Sequence, residues 1–365
     1  MGNGVVFQAA VAIVAGLVVS VLLFVPFVAL SYRRRGRLSA GRMLAWLAAV
    51  IYFWAIWAYT LLPLPQVGSY RCAGINLDPL GFIPDIQRAL AAGGNPLRRT
   101  AIQQLVLNVA LFMPLGFFLR TLAGRGVLVA TAAGFGVSAM VEFTQLTGVW
   151  GLYPCAYRVF DVVDLQTNTL GALLGSVVAL LVPGAWRRAG IRPEAALPHP
   201  VTRGRRMLAM LCDVLAATLL GFATTAAFTT AVSLIDPDST LPQGSYASWL
   251  GSGLPAAVWL VLILATGRSV GDYAVQLRYR GGRQPVPLAR LMRALGGIPG
   301  YALLGLPSLS GNLQAPFALA ALLAWMATPQ GRGLPGLLSG QDLADARATH
   351  EADARPQNEA LPRGK

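Results

Sequence analysis

Long apolar tracts without charged residues alternate with short arginine-rich segments along this chain. Five tracts carry no charged side chain, namely 5–32, 43–64, 100–119, 165–186 and 239–267. Each is close to or above the roughly 20 residues that a helix needs to cross the hydrocarbon core of a bilayer. A helix on the surface of a soluble protein would instead present a polar face to water. The pattern therefore predicts an all-α, polytopic integral membrane bundle whose main partner is the lipid bilayer.

Seven helices can be placed on this pattern, and the last apolar region leaves their total open. The predicted helices cover about 5–31, 43–63, 100–120, 126–147, 158–184, 206–234 and 248–266. Residues 294–331 are also uncharged but are interrupted by Pro299, Pro307, Gly311 and Pro316. They form either one crossing with a broken approach or a hairpin of two short helices, and we favour the hairpin. The prediction is eight or nine transmembrane helices.

The arginine-rich segments predict the orientation of these helices. The segments 33–42 and 187–206 carry several Arg each, which the positive-inside rule places in the cytoplasm. The N-terminus, the 63–99 segment and the 148–157 loop are then external, and the apolar piece Ile75–Ile86 is predicted to be re-entrant or to lie on the membrane surface. A third basic segment, 268–293, indicates a short strand, a turn and a basic helix on the inner membrane surface.

Composition adds the domain boundaries. Hydrophobic residues make up 55% and charged residues 12% of the chain, well below the charged share of a soluble protein. The net charge of +14 comes from Arg placed between apolar tracts, so no nucleic-acid partner is predicted. A Pro-, Ala- and Arg-rich linker at 185–203 separates a membrane domain at 1–184 from a second at 204–340. The polar tail at 341–365 is predicted to be disordered.

The first domain carries a group of polar residues in or next to its helices, where such residues are costly and are functional candidates by default. If residues 158–184 are one helix, then Arg158, Asp161, Asp164 and Asn168 fall within an arc of roughly 120° around its axis. Gly171 and Gly175 continue that helix at a spacing that permits close helix packing. The candidates are Asn76, Asn108, Glu142, Gln145, Arg158, Asp161, Asp164 and Asn168.

These residues resemble the VanZ-like family. The resemblance rests on Asn108-x5-Pro114-Leu-Gly116, on Glu142-x-x-Gln145, and on Arg158-x-x-Asp161-x-x-Asp164-Leu-x-x-Asn168-Thr-x-Gly171. Asn76-Leu-Asp-Pro79 matches the upstream Asn/Pro segment of that family, and the resemblance covers about 43–184. It implies a multi-pass protein of the bacterial plasma membrane that is linked to resistance to glycopeptides such as teicoplanin. It implies no reaction.

Three functions and one purely structural role are compatible with this group. Its members could bind a polar envelope ligand, such as a cell-wall precursor or a glycopeptide, or the group could be structural, with an Arg158–Asp161 ion pair and interhelical hydrogen bonds. As alternatives to ligand binding, the protein could be a transporter of a small ion or solute, or an enzyme that acts on a lipid-linked wall precursor. Glu142, Asp161 and Asp164 could hold a hard divalent cation. The only His are His199 and His350, so no Ser–His or Cys–His pair, no catalytic residue and no cofactor is assigned.

The second domain carries a different motif. Arg206-x-x-Ala209-x-x-x-Asp213 is followed by Gly267-Arg-Ser-x-Gly271 and by Leu288-x-x-x-Met292-Arg293. Together they resemble the RDD family of membrane modules, named for one Arg and two Asp, over about 203–340. The second Asp of that family is expected within 333–340 and is absent there. The resemblance implies a transport role, for which Arg206, Asp213 and Arg293 are the candidate residues.

The cysteines give one covalent prediction. The predicted topology places Cys72 and Cys155 on the external side, where the compartment is oxidising and disulfides persist. Cys212 lies within the sixth helix and is expected to be a free, buried thiol. We therefore predict a Cys72–Cys155 disulfide that holds the 63–99 segment over the polar group and brings Asn76 and Asp78 near Arg158.

Overall fold

The computed structural model of the chain describes residues 2–66, 70–91, 93, 95–184, 193–235, 243–305 and 313–348. Within these residues, seven helices are long and apolar enough to cross a membrane. The prediction of an all-α, polytopic membrane bundle is confirmed. In chain order, the helices include α1 (Gly2–Arg35), α2 (Ala40–Leu61), the short α3 (Phe82–Ala91), α4 (Thr100–Thr121), α5 (Val127–Leu146), α6 (Val162–Val178) and α7 (Arg203–Ile235). They are followed by α8 (Gln243–Thr266), α9 (Val270–Ala274), α10 (Val286–Leu295), α11 (Ile298–Leu303), α12 (Gln314–Ala327) and α13 (Gly333–Ser339).

Two very small sheets accompany the helices. In the first, β1 (Ile75–Asn76) pairs in parallel with β2 (Phe160–Asp161). In the second, β3 (Leu277–Arg280) pairs antiparallel with β4 (Asp342–Asp345). The sequence predicted a short strand near β3 and a turn after it, and Gly281 and Gly282 in that turn both have positive φ angles. Both sheets join segments that are distant in the sequence, so each fixes a loop that the helices alone would leave free.

The chain divides into two compact units. The first unit comprises Met1–Val21 and Ser39–Gly190, and the second comprises Leu22–Leu38 and Ile191–Lys365. The division after Gly190 falls within the predicted linker, of which 185–192 lie outside the described residues. The assignment of Leu22–Leu38 to the second unit was not predicted. The second half of α1 packs there, with Val28 and Tyr32 in a core that also contains Cys212, Val275 and Leu277.

The first unit is held together by close packing of α4 against α6. Gly171 and Gly175 of α6 lie against the carbonyl groups of Val109 and Met113 in α4, and a Cβ atom at either glycine would clash with that backbone. The close packing that the sequence predicted for these two glycines is confirmed. A small core of Ile56, Phe112 and Val141 ties α2 and α5 to the same pair. Since small residues let two helix backbones approach, this packing fixes how the polar first turn of α6 faces α4.

The structure corrects two of the predicted elements and leaves one prediction untested. The fifth helix begins at Val162 rather than at 158, because residues 160 and 161 form β2. Residues 341–348 are not a disordered tail, since β4 pairs with β3 there; residues 349–365 lie outside the described part. Within 294–331 the structure has two short helices, α11 and α12, and Pro307 and Gly311 lie outside the described residues. Whether this region crosses the membrane stays a prediction.

Candidate functional site

The pairing of β1 with β2 places Asn76 opposite Asp161. The Asn76 side-chain amide lies 3.3 Å from both carboxylate oxygens of Asp161 and donates to them. Beside this pair, the backbone amide of Phe160 donates to the carbonyl of Gly74 over 3.2 Å. The amide–carboxylate contact joins residues 85 positions apart, so it depends on this two-residue pairing.

Asp161 also begins helix α6. Its Oδ1 accepts a hydrogen bond from the backbone amide of Val163 over 2.8 Å, which makes it the N-cap of the helix. A carboxylate at this position satisfies one free helix amide and interacts favourably with the positive end of the helix dipole. The backbone amide of Asp161 in turn donates to Oε2 of Glu142 over 3.1 Å. Glu142 is 3% exposed, so it acts as a buried support for the start of α6.

A second amide–carboxylate contact lies one turn further along α6. The Asn108 side-chain amide on α4 donates to Oδ1 of Asp164 over 2.7 Å. Both side chains are half-buried. The close packing of α4 against α6 brings these two residues together. The Asp164 carboxylate and the Asn108 amide both stay partly accessible. We refer to Asn76, Asn108, Asp161 and Asp164 as the amide–carboxylate rim.

Gln145 and Asn168 make interhelical hydrogen bonds from buried positions. The Gln145 amide donates to the carbonyl of Thr60 over 2.8 Å. The Asn168 amide donates to the hydroxyl of Ser138 over 2.9 Å, whereas its Oδ1 is buried without a partner. Together with Glu142 these residues form a buried support beneath the amide–carboxylate rim.

Arg158 departs from its predicted place. It is exposed and precedes β2 and α6, so the helical spacing that put it in one arc with Asp161, Asp164 and Asn168 does not apply. Within the described residues, no ion pair within 4.0 Å joins Arg158 to Asp161. The sequence missed this because the spacing of Arg158, Asp161 and Asp164 also fits a helix and gives no sign that residues 160 and 161 pair with a distant strand. Among the described residues, Asp78 forms no ion pair within 4.0 Å with Arg158; its Oδ1 accepts from the backbone amide of Leu80 over 2.9 Å in a local turn.

A disulfide joins the loop that carries β1 to the loop that carries β2. Cys72 and Cys155 are bonded, with their Cα atoms 5.6 Å apart, as the sequence predicted. Next to it, the backbone amide of Ala73 donates to the carbonyl of Ala156 over 2.8 Å. Cys212 is free and buried, also as predicted. The bridge and the strand pairing together fix Asn76 at the start of α6.

Two tyrosines fasten the loop before β2 to the end of α2. The Tyr153 hydroxyl donates to the carbonyl of Pro65 over 2.9 Å, and the Tyr157 hydroxyl donates to that of Leu61 over 3.2 Å. Burial raises the pKa of Tyr157, so its hydroxyl stays protonated and able to donate at physiological pH. The loop is therefore held by side-chain hydrogen bonds as well as by the disulfide.

The divalent-cation arrangement that the sequence left open is not formed. Across the described part of the chain, no group of three or more His, Cys, Asp or Glu side chains could hold a metal ion. Glu142 accepts from a backbone amide, and Asp161 and Asp164 each accept from a different asparagine. Each of the three carboxylates thus accepts from a different donor, and they do not converge on a common cation site.

The second unit contains a separate, buried cluster around Asp213. Asp213 accepts three hydrogen bonds, from the indole of Trp259 (2.8 Å), the hydroxyl of Ser269 (2.7 Å) and the backbone amide of Gly271 (2.7 Å). Arg206 forms an ion pair with Asp272 over 3.0 Å, and both side chains are almost wholly buried. Arg206 and Arg293 also lie over the ring of Tyr279, at 5.5 and 4.9 Å from its centroid. We call Arg206, Asp213, Asp272 and Arg293 the arginine–aspartate cluster.

Asp272 was missed by the sequence analysis, although a signal for it exists. Ser269 and Asp272 form a capping box at the start of α9, in which each side chain accepts from the other residue's backbone amide. Ser-x-x-Asp is a recognisable spacing for a helix start. Arg205 was also missed: its guanidinium forms a buried ion pair with Asp345 over 2.8 Å. That pairing spans 140 residues and has no local signal.

Comparison with known proteins bears on the first unit. Residues 45–183 match the family described as VanZ/LLP1. No curated protein and no solved structure matches the chain significantly. The matched range runs from the first turns of α2 to just beyond the end of α6, and so contains the amide–carboxylate rim, its buried support and the disulfide. Residues 45–183 of this multi-pass membrane protein are therefore VanZ-like.

Proposed function

We propose that the VanZ-like unit binds a polar ligand of the bacterial cell envelope at the amide–carboxylate rim, on the external side of the plasma membrane. The proposal rests on the division of the predicted polar group into a buried set and an accessible set. Glu142, Gln145 and Asn168 are buried and make hydrogen bonds that support neighbouring backbone or side chains. The rim residues and Arg158 are exposed or half-buried. Polar groups that only held helices together would have no reason to remain accessible.

The chemistry of the rim supports a ligand with several hydrogen-bonding groups. Carboxylates accept, side-chain amides both donate and accept, and Arg158 supplies a cation without an ion-pair partner among the described residues. Such a mixture suits a peptide or sugar ligand that carries both donors and acceptors. A cell-wall precursor or a glycopeptide has this character, which agrees with the resistance role that the VanZ resemblance implies.

Glycopeptide susceptibility tests this proposal. Cells with the gene are expected to tolerate more teicoplanin than cells without it, and Asp161→Asn is expected to abolish the difference at normal protein abundance. Asparagine keeps the N-cap, so the helix start is retained while the charge is lost. Asp85→Asn is the matched control, since Asp85 lies on α3 in a solvent-exposed ion pair with Arg88. Normal tolerance and normal abundance in Asp161→Asn would contradict the proposal.

The alternatives have less support. The RDD-like assignment of 204–340 and its transport role stay proposals. Every carboxylate oxygen of Asp213 and Asp272 already accepts a hydrogen bond, which does not favour a cation pathway through them. We propose no reaction on a wall precursor, because the rim offers no paired nucleophile and base.

A further inference from the structure

An open groove of about 510 Å³ in the first unit is built by the same segments that carry the amide–carboxylate rim. Asn108 lies on α4 and Asp164 on α6, and α3 follows the loop that contains Asn76. All three helices contribute to the groove wall. That wall is almost wholly apolar and includes Phe82, Ile86, Val106, Val109, Met113 and Leu170.

The groove extends away from the rim along α4 and α6. It reaches from Leu105 to Met113 on α4 and from Gln166 to Leu170 on α6. Gln166 follows Asp164 by two residues, so the groove begins about 3 Å further along the axis of α6. The stretch of α4 is about 12 Å long, which is close to the roughly 15 Å of one leaflet of the hydrocarbon core. The groove therefore has the depth of a lipid chain in one leaflet.

One side chain in the groove wall lacks a polar partner at the end nearest the rim. The Thr167 hydroxyl donates to the carbonyl of Val163 over 2.9 Å, so it needs no ligand. Gln166 is exposed, and its side-chain amide has no hydrogen-bond partner among the described residues. An amide that faces lipid without a partner is costly. A ligand that entered the groove from the rim would place the atoms that link its polar part to its apolar part beside Gln166.

The size of the groove favours a hydrocarbon chain over a helix of a partner protein. A helix with its side chains is at least 10 Å across, so a length of about 12 Å occupies about 900 Å³. The groove holds about 510 Å³. A hydrocarbon chain is thin enough to lie within this space along its whole length.

We propose that the ligand of the amide–carboxylate rim is lipid-linked, with its hydrocarbon chain in the groove between α3, α4 and α6. This inference rests on the function proposed above and specifies the class of ligand. The ligand reaches the rim from the outer leaflet, and a lipid-linked cell-wall precursor has the required construction. Binding of the chain keeps the polar part at a high effective concentration next to the rim.

Two matched probes test this proposal, namely the dodecyl and the methyl glycoside of a muramoyl pentapeptide. They share the polar part and differ only in the length of the hydrocarbon chain. Binding of each tritium-labelled probe is measured on the full chain in a neutral detergent, and the dodecyl glycoside is expected to bind more tightly. Because detergent micelles also concentrate the dodecyl glycoside, variants of the protein are needed to locate the chain.

Ala110 is exposed on α4 and lines the groove. Ala110→Phe is expected to weaken binding of the dodecyl glycoside about tenfold, because the ring occupies the space of the chain, and to leave the methyl glycoside unaffected. Ala132→Phe is the matched control at an exposed alanine of α5 outside the groove wall, and it should change neither affinity. Val106→Phe, also in the wall, takes the place of Ala110→Phe if that variant does not fold.

Asp161→Asn separates this proposal from the one on which it rests, since binding at the rim requires that it weaken both probes. If it does so while Ala110→Phe and Val106→Phe bind the dodecyl glycoside normally, the rim binds a polar ligand and the groove assignment is wrong. If Asp161→Asn changes neither affinity, or if neither probe binds, both proposals fail. A changed oligomeric state of Ala110→Phe with normal probe binding would assign the groove to a second copy of the chain and refute the lipid-linked ligand.

Discussion

The two polar clusters of this protein solve the problem of charge near a membrane in different ways. In the first unit, Asp161 and Asp164 are half-buried and rest on neutral asparagine amides. In the second, Asp213 and Asp272 are buried, and each of their oxygens accepts a hydrogen bond from the protein. Buried carboxylates with complete sets of donors therefore belong to the framework of a unit. Accessible carboxylates on neutral partners are better placed to meet a ligand.

The largest expected effect tests whether buried ion pairs hold the second unit together. Asp345→Asn would leave Arg205 without its charged partner at a site where both side chains are only 3% exposed. Removal of one member of a buried pair costs about 3–5 kcal/mol, so a large drop in the unfolding midpoint is expected. Asp342→Asn on the same strand is the control, since its carboxylate is 83% exposed and its pair with Arg332 is worth about 1 kcal/mol or less. Equal effects of the two variants would contradict this account.

A covalent link distinguishes the first unit. Replacement of Cys72 and Cys155 by Ser is expected to lower the free energy of unfolding by about 2–4 kcal/mol, because the unfolded chain loses a constraint. Thiol labelling of the unfolded protein should count one reactive cysteine, Cys212, before reduction and three after it. Three labelled cysteines without reductant would show that the bridge does not form.

Helix packing beneath the amide–carboxylate rim gives a smaller effect. A methyl group at Gly175 would meet the carbonyl of Met113, so Gly175→Ala is expected to destabilise the first unit by about 1–3 kcal/mol. Gly136→Ala on α5 is the control, because a Cβ there has nothing within 4 Å and alanine favours a helix. Unfolding midpoints in detergent would compare the two. A loss of stability in both variants would assign the effect to glycine itself rather than to its contact.

The smallest effect concerns a single hydrogen bond between α5 and α6. Ser138→Ala removes the acceptor of the Asn168 amide. Hydrogen bonds between membrane helices contribute about 0.6 kcal/mol on average, so only a slight fall in stability is expected. A double-mutant cycle with Asn168→Leu would measure the coupling. A coupling several times larger would mean that the buried support carries more of the first unit's stability than its geometry suggests.

Several features of the fold and of the candidate site could be predicted from the sequence because their causes are local or topological. Apolar length places the long helices, and small residues at Gly171 and Gly175 mark a packed helix face. The positions of Cys72 and Cys155 in two loops on one predicted side were sufficient to pair them. The motif from Asn108 to Asn168 also identified the VanZ-like range, which the match over 45–183 agrees with.

The sequence by itself thus determined the membrane class, the main helices and the set of polar residues, since transfer into lipid depends on each segment alone. Only the tertiary structure decided the burial and the hydrogen-bond partners of each polar residue. Whether Arg158 lies on a helix, whether Asp161 meets Asn76, and whether residues 342–345 form a strand depend on pairings between distant segments. Hydrogen bonds form over about 3 Å, so the partner of a charge is set by which backbones the fold brings together.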